Sequence, residues 1–177
     1  LVTEQLFNKF RNLYDGAVLA DFNNDGNVDF IGVDERGYPM MYVGNEEGRF
    51  VGNAIKISDH HMSLPKTFTA GDIDGDGDLD IHIANYKYAY RQGQMPNPYY
   101  DANDGYPAVM LRNDGEGKFT DITESSGLAA KRYRRSYSSS FVDLDDDQDM
   151  DLIVVSDYAG FDVYTNDGKG KFTDVTD

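Results

Sequence analysis

Cysteine is absent from this 177-residue chain, so no disulfide staples it and no thiolate serves as nucleophile or metal ligand. Basic residues are scarce: 16 Lys and Arg stand against 32 Asp and Glu, for a formal net charge of −16 and a pI of about 4.3. That balance excludes the basic footprint by which proteins hold nucleic acid. No apolar run of about 18 residues is present, so nothing reads as a membrane-spanning helix. No secretory leader is visible, which a segment of a longer chain would lack in any case, and the Gly-x-Ser-x-Gly nucleophile elbow is absent. The three histidines offer little chemistry: His60 and His61 fall in a connection and His82 alternates along a strand, so they read as surface or packed residues. Ser138, Ser139 and Ser140 read as strand residues that pair in a sheet. A catalytic centre has little support.

What is present is acidic and repeated. Three stretches read Asp21-Phe-Asn23-Asn-Asp25-Gly26-Asn27-Val-Asp29, Asp72-Ile-Asp74-Gly-Asp76-Gly77-Asp78-Leu-Asp80 and Asp143-Leu-Asp145-Asp-Asp147-Gln148-Asp149-Met-Asp151. Oxygen-bearing side chains recur at positions 1, 3, 5 and 9 of each. Calcium takes about six to eight oxygen ligands, and a short chain supplies them by curling around the ion with alternate carboxylates inward. The expected ligands are the side chains at positions 1, 3 and 5, the carbonyl at position 7 (Asn27, Asp78 or Asp149) and the aspartate at position 9. Position 6 needs a sharp turn that suits glycine, and Gln148 makes the third turn the exception.

An EF-hand would need Glu at position 12 and helices on both sides. Position 12 is instead Gly32, Ile83 or Val154, and the flanks are short, β-branched and strand-like. The loops hold three, five and six acidic residues, so 3 + 5 + 6 = 14 of the 32 in the chain are concentrated there. Such crowding is repulsive unless cations lie among them. About three Ca2+ ions would bring the formal charge from −16 to −10.

A second landmark follows each loop: Asn45-Glu-Glu-Gly48-Arg-Phe50, Asn113-Asp-Gly-Glu-Gly117-Lys-Phe119 and Asn166-Asp-Gly-Lys-Gly170-Lys-Phe172. These are hairpin turns. First loop aspartate and Phe are 29 residues apart in the first unit (21 to 50) and in the third (143 to 172), but 47 apart in the second (72 to 119). The second unit therefore carries an 18-residue insertion (47 − 29). Each unit reads as four antiparallel strands, the size of a propeller blade.

These residues, with the stretches 111–128 and 164–177, resemble FG-GAP/VCBS repeats, the calcium-binding blades of integrin-α-like β-propellers, and are similar to the secreted subset in bacterial VCBS and cartilage-acidic-protein-like proteins. The resemblance implies an all-β fold of propeller blades. Three blades do not close a propeller, and the chain opens on Leu1 in what reads as the tail of an earlier blade. The expectation is a segment of a seven-bladed propeller that packs against further blades of its own kind. The expected division is 1–15 as the end of a preceding blade and a connection, and blades over 16–65, 66–130 and 131–177. Loops exposed to solvent suit the millimolar calcium found outside the cytosol, which points to an extracellular, cell-surface or periplasmic protein.

In an up-and-down blade the calcium loops and the Asn-Asp-Gly turns share one face. The insertion, residues 85–106 with six tyrosines, projects from the other. Beside it should lie Lys131-Arg132-Tyr133-Arg134-Arg135. Tyr99, Tyr100, Arg132, Arg134 and Arg135 are thus the candidates for binding a protein or carbohydrate ligand, tyrosine being suited to both. The alternative is that the loop packs over its own blade or a neighbour and the cations balance nearby carboxylates. As to function, a non-catalytic binding or adhesion module comes first. The propeller part of a carbohydrate-active lyase or dehydratase, or a structural subunit of an extracellular assembly, are the competing readings.

Overall fold

The computed structural model describes residues 16–91 and 95–176. Residues 1–15, expected to end a preceding blade, lie outside the described residues. The remainder is all-β, with one short 3-10 turn at Ala129–Lys131 and no α-helix among the described residues. The first sheet is β1 (Val18–Ala20), β2 (Asp29–Val33), β3 (Pro39–Val43) and β4 (Val51–Lys56). The second is β5 (Pro65–Gly71), β6 (Asp80–Asn85), β7 (Val109–Asn113) and β8 (Phe119–Asp121). The third is β9 (Arg135–Val142), β10 (Asp151–Asp157), β11 (Gly160–Asn166) and β12 (Phe172–Asp174). Each is a four-stranded antiparallel meander with neighbours in chain order.

The acidic loops fall at one place in this repeat. Ala20 pairs with Asp29, Gly71 with Asp80 and Val142 with Asp151. Position 9 of each loop is therefore the first residue of the second strand, and the residues between close a hairpin. The second strands β2 and β6 are buried along their whole length. In β6 the polar side chains of Asp80, His82 and Asn85 are therefore buried along with the apolar ones, and each is hydrogen-bonded. Serines 138, 139 and 140 pair with Val155, Val154 and Ile153.

The sheets stack face to face. Phe22, Ile31, Val33 and Met41 of the first meet Phe68, Ile81, Ile83, Val109 and Leu111 of the second. Ile73, Met110 and Ile122 of the second meet Leu152, Val154, Tyr164 and Phe172 of the third. The apolar residue at loop position 2 fills each seam: Phe22 packs edge-on against Phe119 at 6.2 Å, and Ile73 does the same task one sheet further on.

Polar clamps run beside these cores. Asn113 Nδ2 donates to the Phe22 carbonyl at 2.8 Å, and Asn166 Nδ2 donates to the Ile73 carbonyl at 2.8 Å. The Asn-Asp-Gly turns of the second and third sheets thus each grip the acidic loop of the sheet before. Loops and turns share one face, as the topology requires. Insertion and basic connection meet on the other: Gly105 N donates to Tyr133 O at 2.6 Å and Ala108 N to Arg132 O at 2.8 Å.

Candidate functional site

The acidic loops are built from the inside outward by hydrogen bonds that their own carboxylates accept. The position-1 aspartate caps the turn: Asp21 accepts from Asp25 N and Gly26 N, Asp72 from Gly75 N and Gly77 N, and Asp143 from Asp147 N and Gln148 N. The position-5 side chains, Asp25, Asp76 and Asp147, lie exposed and accept from the backbone of Asn27, Asp78 and Asp149. The position-9 aspartate is buried in every copy. Asp80 accepts from Ile73 N at 2.9 Å and Asn113 N at 2.7 Å. Asp29 joins Phe22 N and Gly44 N in the same manner, and Asp151 joins Leu144 N and Asn166 N. This residue therefore ties the loop to the third strand as well as facing the loop centre, a role that its spacing does not disclose.

Positions 1, 3 and 9 converge. Asp72, Asp74 and Asp80 bring carboxylate oxygens within 4.8 Å of one another, and so do Asp143, Asp145 and Asp151. In the first loop Asn23 occupies position 3, and its amide bonds Asp25. Burial pushes the Asp80 carboxyl up to about 7 against the pull of its two backbone donors, with Asp74 and Asp76 adding repulsion. Asp74 is raised by burial and by Asp76, and Asp145 by desolvation and by Asp147. Asp74 Oδ1 is buried without a hydrogen-bond partner. A triad of oxygens, one orphaned and one resisting ionisation, fits a hard divalent cation: the ion supplies the missing partner and favours the charged form.

The basic connection does not form an open face. Arg134 is buried, held by Asp162 through Nε at 3.1 Å and by Asp101 at 2.6 Å. Arg135 is buried too, and its Nε and Nη2 each lie 2.8 Å from Asp104. Both guanidinium groups therefore fasten the insertion to the third sheet and are withdrawn from any external ligand, correcting the expectation of a cationic surface. Arg132 pairs with Glu124 at 3.2 Å and is largely enclosed. Tyr99 and Tyr100 stay at the surface, packed edge-on at 5.0 Å, with Tyr99 also against Tyr158 of the third sheet. The insertion packs on its neighbour: Tyr86 stacks on Tyr137 at 4.4 Å and donates to Asp157 at 2.8 Å.

A cleft of about 470 Å3 opens between the first and second sheets, lined by Lys56, Ile57, Asp59, His60, Phe119 and Asp121. His60 Nε2 lies 2.6 Å from Asp121 Oδ2 across the seam. Sequence reading passed over this site, because its walls come from a connection and from a strand about sixty residues later in the chain.

Four-stranded meanders stacked face to face, each with an acidic loop between its first two strands, are blades of a β-propeller-like fold. Residues 21–83 match the family model described as the FG-GAP-like repeat. No curated protein matches the chain. Among solved structures it is similar to a lectin of Agrocybe aegerita, described as the structural basis of specific recognition of non-reducing terminal N-acetylglucosamine. The TM-score is 0.54 at 19% identity, over 88% of this chain and 36% of that one. The chain thus spans about a third of the lectin's length, and the likeness is one of fold. Among the described residues no helix is long and apolar enough to cross a membrane.

Proposed function

We propose that the chain is a calcium-stabilised propeller segment acting as a non-catalytic binding module, displayed outside the cell or in the periplasm, with a carbohydrate or protein as its ligand. The observation that carries the metal part is the Asp72–Asp74–Asp80 triad with its partnerless buried oxygen. Calcium would be held there by those three carboxylates, with Asp76 at the rim, and by the corresponding residues of the other two loops. The ion supplies positive charge and rigid oxygen coordination and takes no part in a reaction. Carbohydrate is favoured as ligand by the lectin-like fold and by the cleft, where the Phe119 ring borders Asp59, His60 and Asp121. An aromatic wall beside hydrogen-bonding carboxylates suits a pyranose, which has apolar ring faces and equatorial hydroxyls.

The test is a thermal melt in EDTA and in millimolar Ca2+ with calorimetric stoichiometry, followed by titration with N-acetylglucosamine and other monosaccharides. A ligand confined to the folded state adds about 2.7 kcal/mol at a hundred times its dissociation constant. An unchanged melt would remove the metal reading. Saturable sugar binding that survives in Asp121→Asn and Phe119→Ala variants would remove the cleft.

The hydrolytic or eliminative alternative draws on one observation, the 2.6 Å His60–Asp121 pair, since an imidazole oriented by a carboxylate is a common general base. Turnover of a polysaccharide that is lost in His60→Gln would favour it.

A further inference from the structure

Asn113 and Asn166 each touch two acidic loops at once. Asn166 N donates to Asp151 Oδ1 at 2.8 Å and its Nδ2 to the Met150 carbonyl at 3.1 Å, both in the third loop. The same Nδ2 donates to the Ile73 carbonyl of the second loop at 2.8 Å. Asn113 repeats the pattern one sheet earlier. Its N donates to Asp80 Oδ1 at 2.7 Å, and its Nδ2 donates to the carbonyls of Leu79 at 3.4 Å and Phe22 at 2.8 Å. In the first sheet the equivalent residue is Gly44, whose N donates to Asp29 Oδ1 at 2.8 Å and which has no side chain to reach further.

The gripped carbonyl belongs to the peptide that carries a candidate ligand. Ile73 C=O shares a rigid plane with the nitrogen of Asp74, the triad member whose Oδ1 is buried without a partner. Fixing that plane sets the direction from which the Asp74 carboxylate enters the loop. Phe22 C=O stands in the same relation to Asn23, at position 3 of the first loop. An ion in the third loop would hold Asp151, Asp151 anchors the backbone of Asn166, and the Asn166 amide orients position 3 of the second loop. Asp80 and Asn113 relate the second loop to the first in the same way. Each asparagine is a joint, either seated between two ordered loops or slack, and an ion on either side favours the seated form. A two-state element biased from both sides is what coupling between sites requires.

We propose that Asn113 and Asn166 are positioning residues that couple the ion sites, so that filling one loop raises the affinity of its neighbour. The coupling presupposes the calcium reading proposed above. In the first seam Asn24 Nδ2 adds a direct bond to Asp78 Oδ1 at 2.6 Å. The second loop has Gly75 where the first has Asn24, so the second seam isolates the effect of the asparagine.

The experiment is a Ca2+ titration of the whole chain followed by amide NMR. Each loop is read at its position-6 residue, Gly26, Gly77 or Gln148, whose N–H donates to the position-1 aspartate. The Gly77 curve should be steeper than a single-site isotherm. Asp147→Asn, at the rim of the third loop, should raise the Gly77 midpoint about fivefold or more. In Asn166→Ala, where Gly170 N at 3.0 Å keeps the Ile73 carbonyl paired, Asp147→Asn should no longer move Gly77. Asn166→Gly, which copies the first sheet, serves the same purpose if the alanine variant does not fold. A residue that only braced the fold would lower the melting temperature and leave the transmitted shift in place. A Gly77 midpoint unmoved by Asp147→Asn, or moved equally with and without the Asn166 side chain, overturns the coupling while calcium binding stands. No ion-dependent shift at any loop overturns the calcium reading and the coupling with it.

Discussion

Gln148 holds φ at +73° at the place where Gly26 and Gly77 hold +86° and +91°. The third loop therefore keeps the turn of the other two, at the cost of a side chain in the left-handed region, about 1–2 kcal/mol. Gln148→Gly relieves that strain and loses part of the gain to a looser unfolded chain, so a net stabilisation of about 0.5–1 kcal/mol is expected in urea melts. His82 makes a different residue-scale prediction. It is buried between sheets, with Nδ1 2.9 Å from Ser139 Oγ, and burial pulls its pKa from 6.5 down to about 4. The unfolded chain takes up this proton first, so stability is full above pH 6.5 and falls as the pH drops through about 4. The full loss is about 3 kcal/mol. Asp80 acts oppositely without metal: its raised pKa contributes stability present below 3.8 and lost as pH rises through about 7. Melts at pH 7 and pH 5 in excess Ca2+, where the carboxylate stays ionised, isolate the histidine. The acid loss should shrink in His82→Gln, and an unchanged slope would assign the titration to another group.

At the scale of the element, each acidic loop has two layers. The position-9 aspartate is part of the sheet, whereas position 5 stands at the solvent rim. Asp80→Asn keeps one acceptor oxygen for two backbone donors, so it should cost about 1–3 kcal/mol even in EDTA and also weaken calcium binding. Asp76→Asn should leave the EDTA melt within about 0.5 kcal/mol of the parent and weaken calcium binding alone. Paired melts with and without metal separate the two, and equal costs in EDTA would merge the layers. The loops were legible in the sequence because their chemistry is local: nine consecutive residues specify ligand spacing, turn and strand onset. The clamps were not. Asn113 and Asn166 repeat visibly in the turns, yet their acceptors lie 91 and 93 residues earlier in the chain. The basic run misled for a related reason, since the carboxylates that neutralise Arg134 and Arg135 come from sites 28 and 31 residues away.

Across the molecule, the insertion converts a pair of stacked sheets into a strapped unit. Tyr86 on Tyr137, Arg135 on Asp104, and the backbone of Asp101 on Tyr158 span from the second sheet to the third. The first seam is held by its apolar core, the Asn113 clamp, the His60–Asp121 contact and the bond from Asn24 Nδ2 to Asp78 Oδ1 at 2.6 Å, with no comparable strap among the described residues. Hydrogen exchange should therefore show β5–β12 opening as one cooperative unit at a higher free energy than β1–β4. Arg135→Ala removes both guanidinium bonds to Asp104 and leaves it Lys87 at 3.9 Å, for a cost of about 3 kcal/mol, and should lower protection in β5–β12 while sparing β1–β4. Uniform loss over all three sheets would contradict this division.

The asparagine clamps also give the stack a direction. Both grips run backward, from a turn to the loop of the preceding sheet, so the first and second acidic loops are each braced by the sheet that follows in the sequence. Synthesis from the N-terminus then delivers each loop before its brace. A newly made blade is soft at its ion site until the next has folded onto it, and cation capture becomes a ratchet that advances along the chain one blade behind its growth.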